Sequence, residues 1–124
     1  MKAPSILLLS SLLYGCATYA RQPAEYVADT THLLADAGPE LSACYAKVLA
    51  LEPGARGVVT VRLRVEARTG QLGADVVPER TTAPELVQSC VIRQVATLKL
   101  APPDVSDAAG EASWTFKPLK APAR

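Results

Sequence analysis

The run from Gly57 to Val77, GVVTVRLRVEARTGQLGADVV, constrains the fold most, because apolar and polar residues alternate along it. The apolar positions are Val59, Val61, Leu63, Val65 and Ala67, and the positions between them carry Thr60, Arg62, Arg64, Glu66 and Arg68. A period of two predicts a strand with one face buried and the other in water. Thr69-Gly70 then predicts a turn, and Leu72, Ala74 and Val76 predict a shorter return strand that ends at Pro78.

Helical periodicity flanks this hairpin on both sides. In PELSACYAKVLAL, which begins at Pro39, an apolar stripe falls on Leu41, Cys44, Tyr45, Val48 and Leu49. In TTAPELVQSCVIRQVATLKL, which begins at Thr81, the stripe falls on Leu86, Val87, Cys90, Val91 and Leu98. Thr82 and Glu85 have the spacing of a capping box, and Pro84 falls in the first turn of this second helix.

A last strand is predicted in EASWTFKPL, where Ala112, Trp114 and Phe116 alternate with Ser113, Thr115 and Lys117 before Pro118. The predicted order is therefore helix, strand, strand, helix, strand. Each strand has one polar face, so the pattern predicts an α+β domain with both helices on one face of a three-stranded antiparallel sheet. This body covers residues 38–118, and residues 119–124 are a short tail.

The charge pattern argues against some partners. The 124-residue chain has a formal net charge of +1, and its arginines are scattered among acidic residues. Binding to nucleic acid or to an anionic membrane surface depends on clustered cations. We therefore expect neither a nucleic-acid partner nor a polybasic membrane patch.

The N-terminal segment has the features of an export signal. Lys2 precedes an apolar block from Ile6 to Leu13, which is about half of the roughly 20 residues that a membrane-spanning helix needs. The residues Leu13-Tyr14-Gly15-Cys16 resemble the lipobox of bacterial lipoproteins, although Tyr14 replaces the usual small residue. The resemblance implies a signal peptide at 1–15, a lipid on Cys16 and a lipidated tether at 16–37. Whether a short helix forms within the tether, from Tyr26 to Leu34, is an open question at this point. Ala17 follows the cysteine, and by the same resemblance this favours an outer-membrane lipoprotein that faces the periplasm.

Two other interpretations of this segment remain. An ordinary signal peptide cut after Ala17 or Ala20 would discard Cys16, and an uncleaved segment would serve as an anchor.

Cys44 and Cys90 are left as an even pair in an exported, oxidising compartment, and such a pair predicts a disulfide. In the chain-entropy description a bridge of this loop length stabilises the fold by roughly 4 kcal/mol. Two buried thiols or a reactive pair are the alternatives. A redox-active pair usually has Cys-x-x-Cys spacing or lies beside a cation at the start of a helix, and neither applies here.

The segments CY-x-KVL, GVVTVRLRVEARTGQL, ELVQSCV and WTFKP together resemble the AgmX/PglI C-terminal domain of myxobacteria, a relative of the TonB C-terminal fold. The resemblance covers residues 38–118. Leu100-Ala101-Pro102 departs from the Phe-Pro that is common in that group, and the inner-membrane helix and Pro-rich spacer of TonB proteins are missing. The resemblance implies the fold and an extended peptide bound at the last strand, with Ser113, Trp114, Thr115, Phe116 and Lys117 as the candidate edge. It does not carry over the energy-transducing role.

These features predict a non-enzymatic, lipid-anchored adaptor domain of a cell-envelope complex with an envelope protein as partner. We expect no metal and no cofactor other than the lipid on Cys16, since His32 is the only histidine. The alternative is a secreted or lipidated thiol-redox or hydrolytic enzyme of the envelope. The oligomeric state and the identity of the partner are left open.

Overall fold

The computed structural model describes residues 19–119, so the predicted signal peptide, the predicted lipid site at Cys16 and most of the tail lie outside the described residues. The elements in chain order are α1 (Pro23–Asp36), α2 (Gly38–Leu51), β1 (Gly57–Val65), β2 (Leu72–Val76), a short 3-10 turn (Pro78–Arg80), α3 (Glu85–Val95) and β3 (Ala108–Phe116). From α2 onward this is the predicted order of helices and strands. The α+β class and the antiparallel sheet are confirmed.

The three strands form one sheet in the order β2-β1-β3, with β1 in the centre. In this register Val61 lies opposite Val76 on one side and opposite Ala112 on the other. The predicted alternation is confirmed along β1, where Val59, Val61, Leu63 and Val65 are buried while Arg62 and Arg64 are exposed. Thr60 is an exception on the polar face, since it is buried and its hydroxyl lies 2.8 Å from that of Ser113.

Two glycines, one at the start of β1 and one in the turn between β1 and β2, occupy positions where a side chain would not fit. Gly57 has a φ of +137°, and a Cβ there would lie 2.6 Å from the backbone nitrogen of Ala83. Gly70, in the predicted Thr69-Gly70 turn, has a φ of +73°, and a Cβ there would lie 2.1 Å from the carbonyl oxygen of Leu100. Both positions therefore require glycine for conformation as well as for space.

The helices bury nearly the stripes that their periodicity predicts. In α2 the buried residues are Leu41, Tyr45 and Val48, while Cys44 and Leu49 are half-buried. In α3 they are Val87, Cys90, Val91 and Val95. The prediction for Leu86 was wrong, since its side chain is 41% exposed. The stripe of α3 runs through Val87, Val91 and Val95, and Leu86 lies about 100° around the helix from Val87.

The capping box predicted for α3 does not form. Pro84 occupies the N-cap, and the Thr82 hydroxyl instead accepts a hydrogen bond from the backbone N–H of Val58 at 2.9 Å. Thr82 therefore extends the hydrogen bonding of β1 and does not cap the helix.

Cys44 of α2 and Cys90 of α3 form a disulfide with 5.8 Å between their Cα atoms. Cys90 is fully buried, whereas Cys44 is half-buried with the Arg93 guanidinium beside its sulfur. The bond therefore ties the two helices together inside the core.

Helix α1 extends the short helix left open at Tyr26 to Leu34 and occupies much of the segment that the sequence assigned to a tether. Tyr26, Leu33 and Leu34 pack against the buried core. Residues 23–36 are thus folded onto the domain, because α1 brings an apolar side to it. No helix between residues 19 and 119 is both long enough and apolar enough to cross a membrane.

Candidate functional site

The helices cover the sheet unevenly. Helix α3 packs on β2 and β1, α2 packs against α3, and α1 packs against α2. The side of the sheet nearest α3 is therefore closed. Over β3, by contrast, α1 and α2 leave an open space between themselves and the strand.

This space, called here the groove, has a volume of about 980 Å³. Its helical wall includes Val27 and Leu34 of α1, together with Ser42 and Leu49 of α2. Its sheet wall includes Ala112 and Trp114 of β3, and also the inward faces of Leu63 and Val65. Most of these side chains are apolar, so the groove suits an apolar occupant.

The edge residues predicted from sequence lie at the C-terminal half of β3 and just beyond it. Ser113 and Thr115 are exposed on the polar face, and Lys117 is exposed directly after the strand. Trp114 is half-buried, packs against the core and lines the groove. Phe116 is buried beside Tyr45, with 5.0 Å between the ring centroids, so its side chain belongs to the core.

The strand is longer than predicted, and its added residues begin at Ala108. The hydrogen bonds of β1 show which backbone groups of β3 remain free. The carbonyls of Val58 and Thr60 accept from Thr82 and Val77, both of which lie on the β2 side of β1. Backbone groups of successive strand residues point to opposite sides, so those of Val59 and Val61 point to β3.

In the register, Val59 lies opposite Trp114 and Val61 lies opposite Ala112. The even-numbered residues of β3 therefore bond to β1, and the odd-numbered residues direct their N–H and C=O groups away from the sheet. We call this row the β3 edge. It comprises Ala109, Glu111, Ser113 and Thr115, all of which are exposed.

The opposite margin of the sheet is partly covered. The Leu72 N–H donates to the Leu98 carbonyl at 3.0 Å, and the Leu100 N–H donates to the Gly70 carbonyl at 2.8 Å. The Gln71 side chain adds bonds to the carbonyls of Ala96 and Leu98. The segment that follows α3 thus closes the beginning of the β2 margin.

A cluster of side chains holds α1 opposite β3, and we call it the Arg21 clasp (Tyr19, Arg21, Tyr26, Asp29 and Asp104). The buried Arg21 side chain donates through Nε to Asp29 at 2.7 Å, and its Nη1 lies 3.8 Å from the Asp104 carboxylate. Its guanidinium carbon lies 4.7 Å from the centroid of the Tyr19 ring and 5.6 Å from that of Tyr26. Cation–π contacts are stronger when the cation is removed from water, as the buried Arg21 guanidinium is.

The clasp also joins the chain before α1 to the loop before β3. The backbone N–H of Arg21 donates to Asp104 at 2.7 Å, and the Tyr26 hydroxyl donates to the Ser106 carbonyl at 2.9 Å. Burial raises the pKa of the Asp104 carboxyl, but the backbone N–H groups of Arg21 and Ser106 outweigh it and hold that pKa below its ordinary value. Burial and the nearby Asp104 raise the pKa of the Tyr26 hydroxyl.

Two polar side chains that could take part in chemistry, His32 and Arg64, lie on exposed surfaces. His32 is exposed on α1, and Arg64 pairs with Asp75 at 3.3 Å on the exposed face of the sheet. Among residues 19–119, no group of three or more His, Cys, Asp or Glu side chains could hold a metal ion. The arrangement around β3 can offer backbone hydrogen bonds and apolar contacts.

Sequence reasoning missed the α1 wall of the groove and the Arg21 clasp. The sequence contained one signal for the helix: Gln22 and Glu25 form a capping box around Pro23, in which the Gln22 N–H donates to Glu25 at 3.2 Å. It contained no comparable signal for the clasp, because Arg21 and Asp104 are 83 residues apart.

Comparison with known proteins adds no relative to this description. No family model matches the chain, and neither a curated protein nor a solved structure matches it.

Proposed function

We propose that this chain is a lipid-anchored, periplasm-facing adaptor domain of a cell-envelope complex, which binds an extended peptide along β3 by β-augmentation. The observation that carries the proposal is the β3 edge, a row of outward backbone groups on a nine-residue strand beside an apolar groove. An added strand would satisfy those groups through main-chain hydrogen bonds, and the groove would receive its side chains.

The remaining parts of the proposal come from the sequence. The lipobox resemblance supports lipid attachment at Cys16 and an outer-membrane location. The order of elements from α2 to β3 supports a TonB-like, AgmX/PglI-type domain, although a peptide-binding role does not depend on that kinship. A thiol-redox enzyme is less well supported, because the two cysteines lack Cys-x-x-Cys spacing and Cys90 is fully buried.

The binding role is tested by photo-crosslinking in intact envelopes. A crosslinking amino acid at Thr115 is expected to capture one discrete envelope protein, whereas the same amino acid at Asp75 of β2, also exposed, is expected to capture none. Equal capture from both positions, or none from Thr115 together with a hydrolytic or redox activity of the purified chain, would contradict the adaptor role.

A proline at Thr115 separates β-augmentation from side-chain binding. Thr115→Pro removes one outward N–H of the β3 edge but no bond to β1, so it should abolish the crosslink from a probe placed at Ala109. Thr115→Val keeps the N–H and serves as the matched control, with capture unchanged. If both variants capture the partner equally, main-chain pairing is not the mode of binding.

Lipid attachment has a separate test. Incorporation of labelled palmitate is expected for the full chain and should disappear in Cys16→Ala. Incorporation that survives this substitution would refute Cys16 as the acylated residue.

A further inference from the structure

We infer that the peptide bound at the β3 edge is a strand of alternating apolar and polar residues, inserted between β3 and α1 with its apolar face in the groove. This inference rests on the proposed β-augmentation and specifies the chemistry of the partner. It depends on three features of the described residues, namely the backbone row, the exposed face of α1 and the two unlike faces of β3.

The first feature is the kind of bond that the edge offers. The four outward residues from Ala109 to Thr115 present paired N–H and C=O groups over about 20 Å of extended chain. Another extended chain can form hydrogen bonds to this row. A helix cannot, because its backbone N–H and C=O groups already bond to one another. The edge therefore selects a strand, and its length fits a segment of about seven residues.

The second feature is an apolar helix face above the place where that strand would lie. Val27 of α1 lines the groove and is 68% exposed, and Leu34 lies two turns further along the same wall. With 14 residues α1 is about 21 Å long, which matches the length of the edge. A strand paired to β3 would cover Val27 and the part of Leu34 that the core leaves open.

The third feature is the contrast between the faces of β3. Toward the core the strand presents the half-buried Ala112 and Trp114, and its opposite face carries the exposed Glu111, Ser113 and Thr115, which also border the groove. Glu111 is already paired with Arg80 on that polar face. A neighbouring strand continues both faces, so its residues must alternate between apolar and polar.

The Arg21 clasp sets the distance between α1 and β3 at one end of the groove. It fixes the start of α1 to the loop before β3 through Asp104 and Ser106, so α1 and β3 are held apart at one end. A bound strand would then enter a gap that exists before binding, and the free energy of binding would not include the ordering of α1.

The test uses the mature full-length chain with a heptapeptide probe that has valine at alternate positions and serine, lysine and serine between them. An isomer of the same composition, with its four valines in one block, is the control probe. Trp114 is the only tryptophan and lines the groove, so its emission should shift to shorter wavelength with the alternating peptide and not with the control. Hydrogen exchange should slow at the amides of Ala109, Glu111, Ser113 and Thr115.

Two substitutions on exposed positions of α1 complete the test. Val27→Lys places a charge on the groove wall and should weaken the alternating peptide about tenfold. Ala28→Lys adds the same charge at the neighbouring exposed residue, which does not line the groove, and should change affinity less than about twofold. Circular dichroism should show both variants folded.

Each outcome is informative. Equal binding of the two peptides, or slowed exchange without discrimination between Val27→Lys and Ala28→Lys, would overturn the inference. Dimerisation through β3 that excludes the peptide would also overturn it, in favour of a second copy as occupant. Crosslinking from Thr115 in envelopes without binding of the alternating peptide would leave the adaptor role and refute the chemistry assigned to its partner.

Discussion

The two margins of the sheet differ in length and in what lies beside them. Strand β2 has five residues, and the segment after α3 bonds to its beginning, whereas β3 has nine residues and an open groove beside it. Edge strands are usually shortened, charged or covered, because free backbone groups invite pairing with another chain. In β3 the one charged residue is Glu111, which pairs with Arg80, and Lys117 and Pro118 lie beyond the end of the strand. The β2 margin is thus partly closed by bonds within the chain, and the open β3 margin fits the partner that we propose for it.

Removing the disulfide has the largest expected effect on the fold that both margins share. The bond closes a 46-residue separation, and the double variant Cys44→Ala/Cys90→Ala should lower the free energy of unfolding by about 4 kcal/mol in the chain-entropy description. Denaturant unfolding of the oxidised wild type and the variant measures it. A loss below about 1 kcal/mol would show that α2 and α3 are held mainly by packing.

Glycine-to-alanine substitutions at the two margins compare how much each margin loses in the free energy of unfolding. Gly70→Ala places a Cβ against the Leu100 carbonyl at a positive φ, and should lower the free energy of unfolding by about 2 kcal/mol. Gly110→Ala on β3 is the matched control, since a Cβ there meets nothing within 4 Å. It should be neutral or slightly stabilising, because alanine restricts the unfolded chain. Equal losses at both positions would contradict the difference between the margins.

Acid should destabilise the packing of α1 beside β3 before it destabilises the β2 margin. Because the folded pKa of Asp104 lies below its ordinary value of 3.8, the unfolded chain binds protons more readily. The stabilisation by Asp104 is complete above that value and is lost as the pH falls through the folded pKa. Hydrogen exchange measured as the pH falls below about 3.8 should therefore show α1 opening before Leu72 at the β2 margin.

Asp104→Asn provides the control for this pH dependence. The variant should lose most of the acid sensitivity of α1, because the titrating carboxyl beside Arg21 is gone. An unchanged pH profile would show that the Asp104 carboxyl does not govern the opening.

Thr115→Pro should have only a small effect on stability. Its N–H points away from β1, so the variant should lose less than about 1 kcal/mol in the free energy of unfolding. A loss comparable to that of Gly70→Ala would mean that the Thr115 N–H has a partner within the folded chain. A large loss of crosslinking together with a small change in the free energy of unfolding would show that the Thr115 N–H serves binding and not folding.

Local patterns predicted a good part of this fold. The alternation from Val59 to Val65 predicted the central strand, and the Thr69-Gly70 pair predicted its turn, because side-chain period and turn chemistry are local properties. The failures were also local. Leu86 was placed in the stripe of α3 although Val95 belongs there, and Thr82 was assigned to a cap although its hydroxyl bonds to β1.

The sequence by itself determined the class of the domain, the buried face of each strand and the pair of cysteines available to each other. Tertiary structure alone decided which backbone groups of β3 are free, because the register with β1 leaves those of the odd-numbered residues outward. It also decided that α1 stands across from that strand. The clasp that holds α1 there joins Arg21 to Asp104, and no local pattern encodes a contact between residues so far apart in the chain.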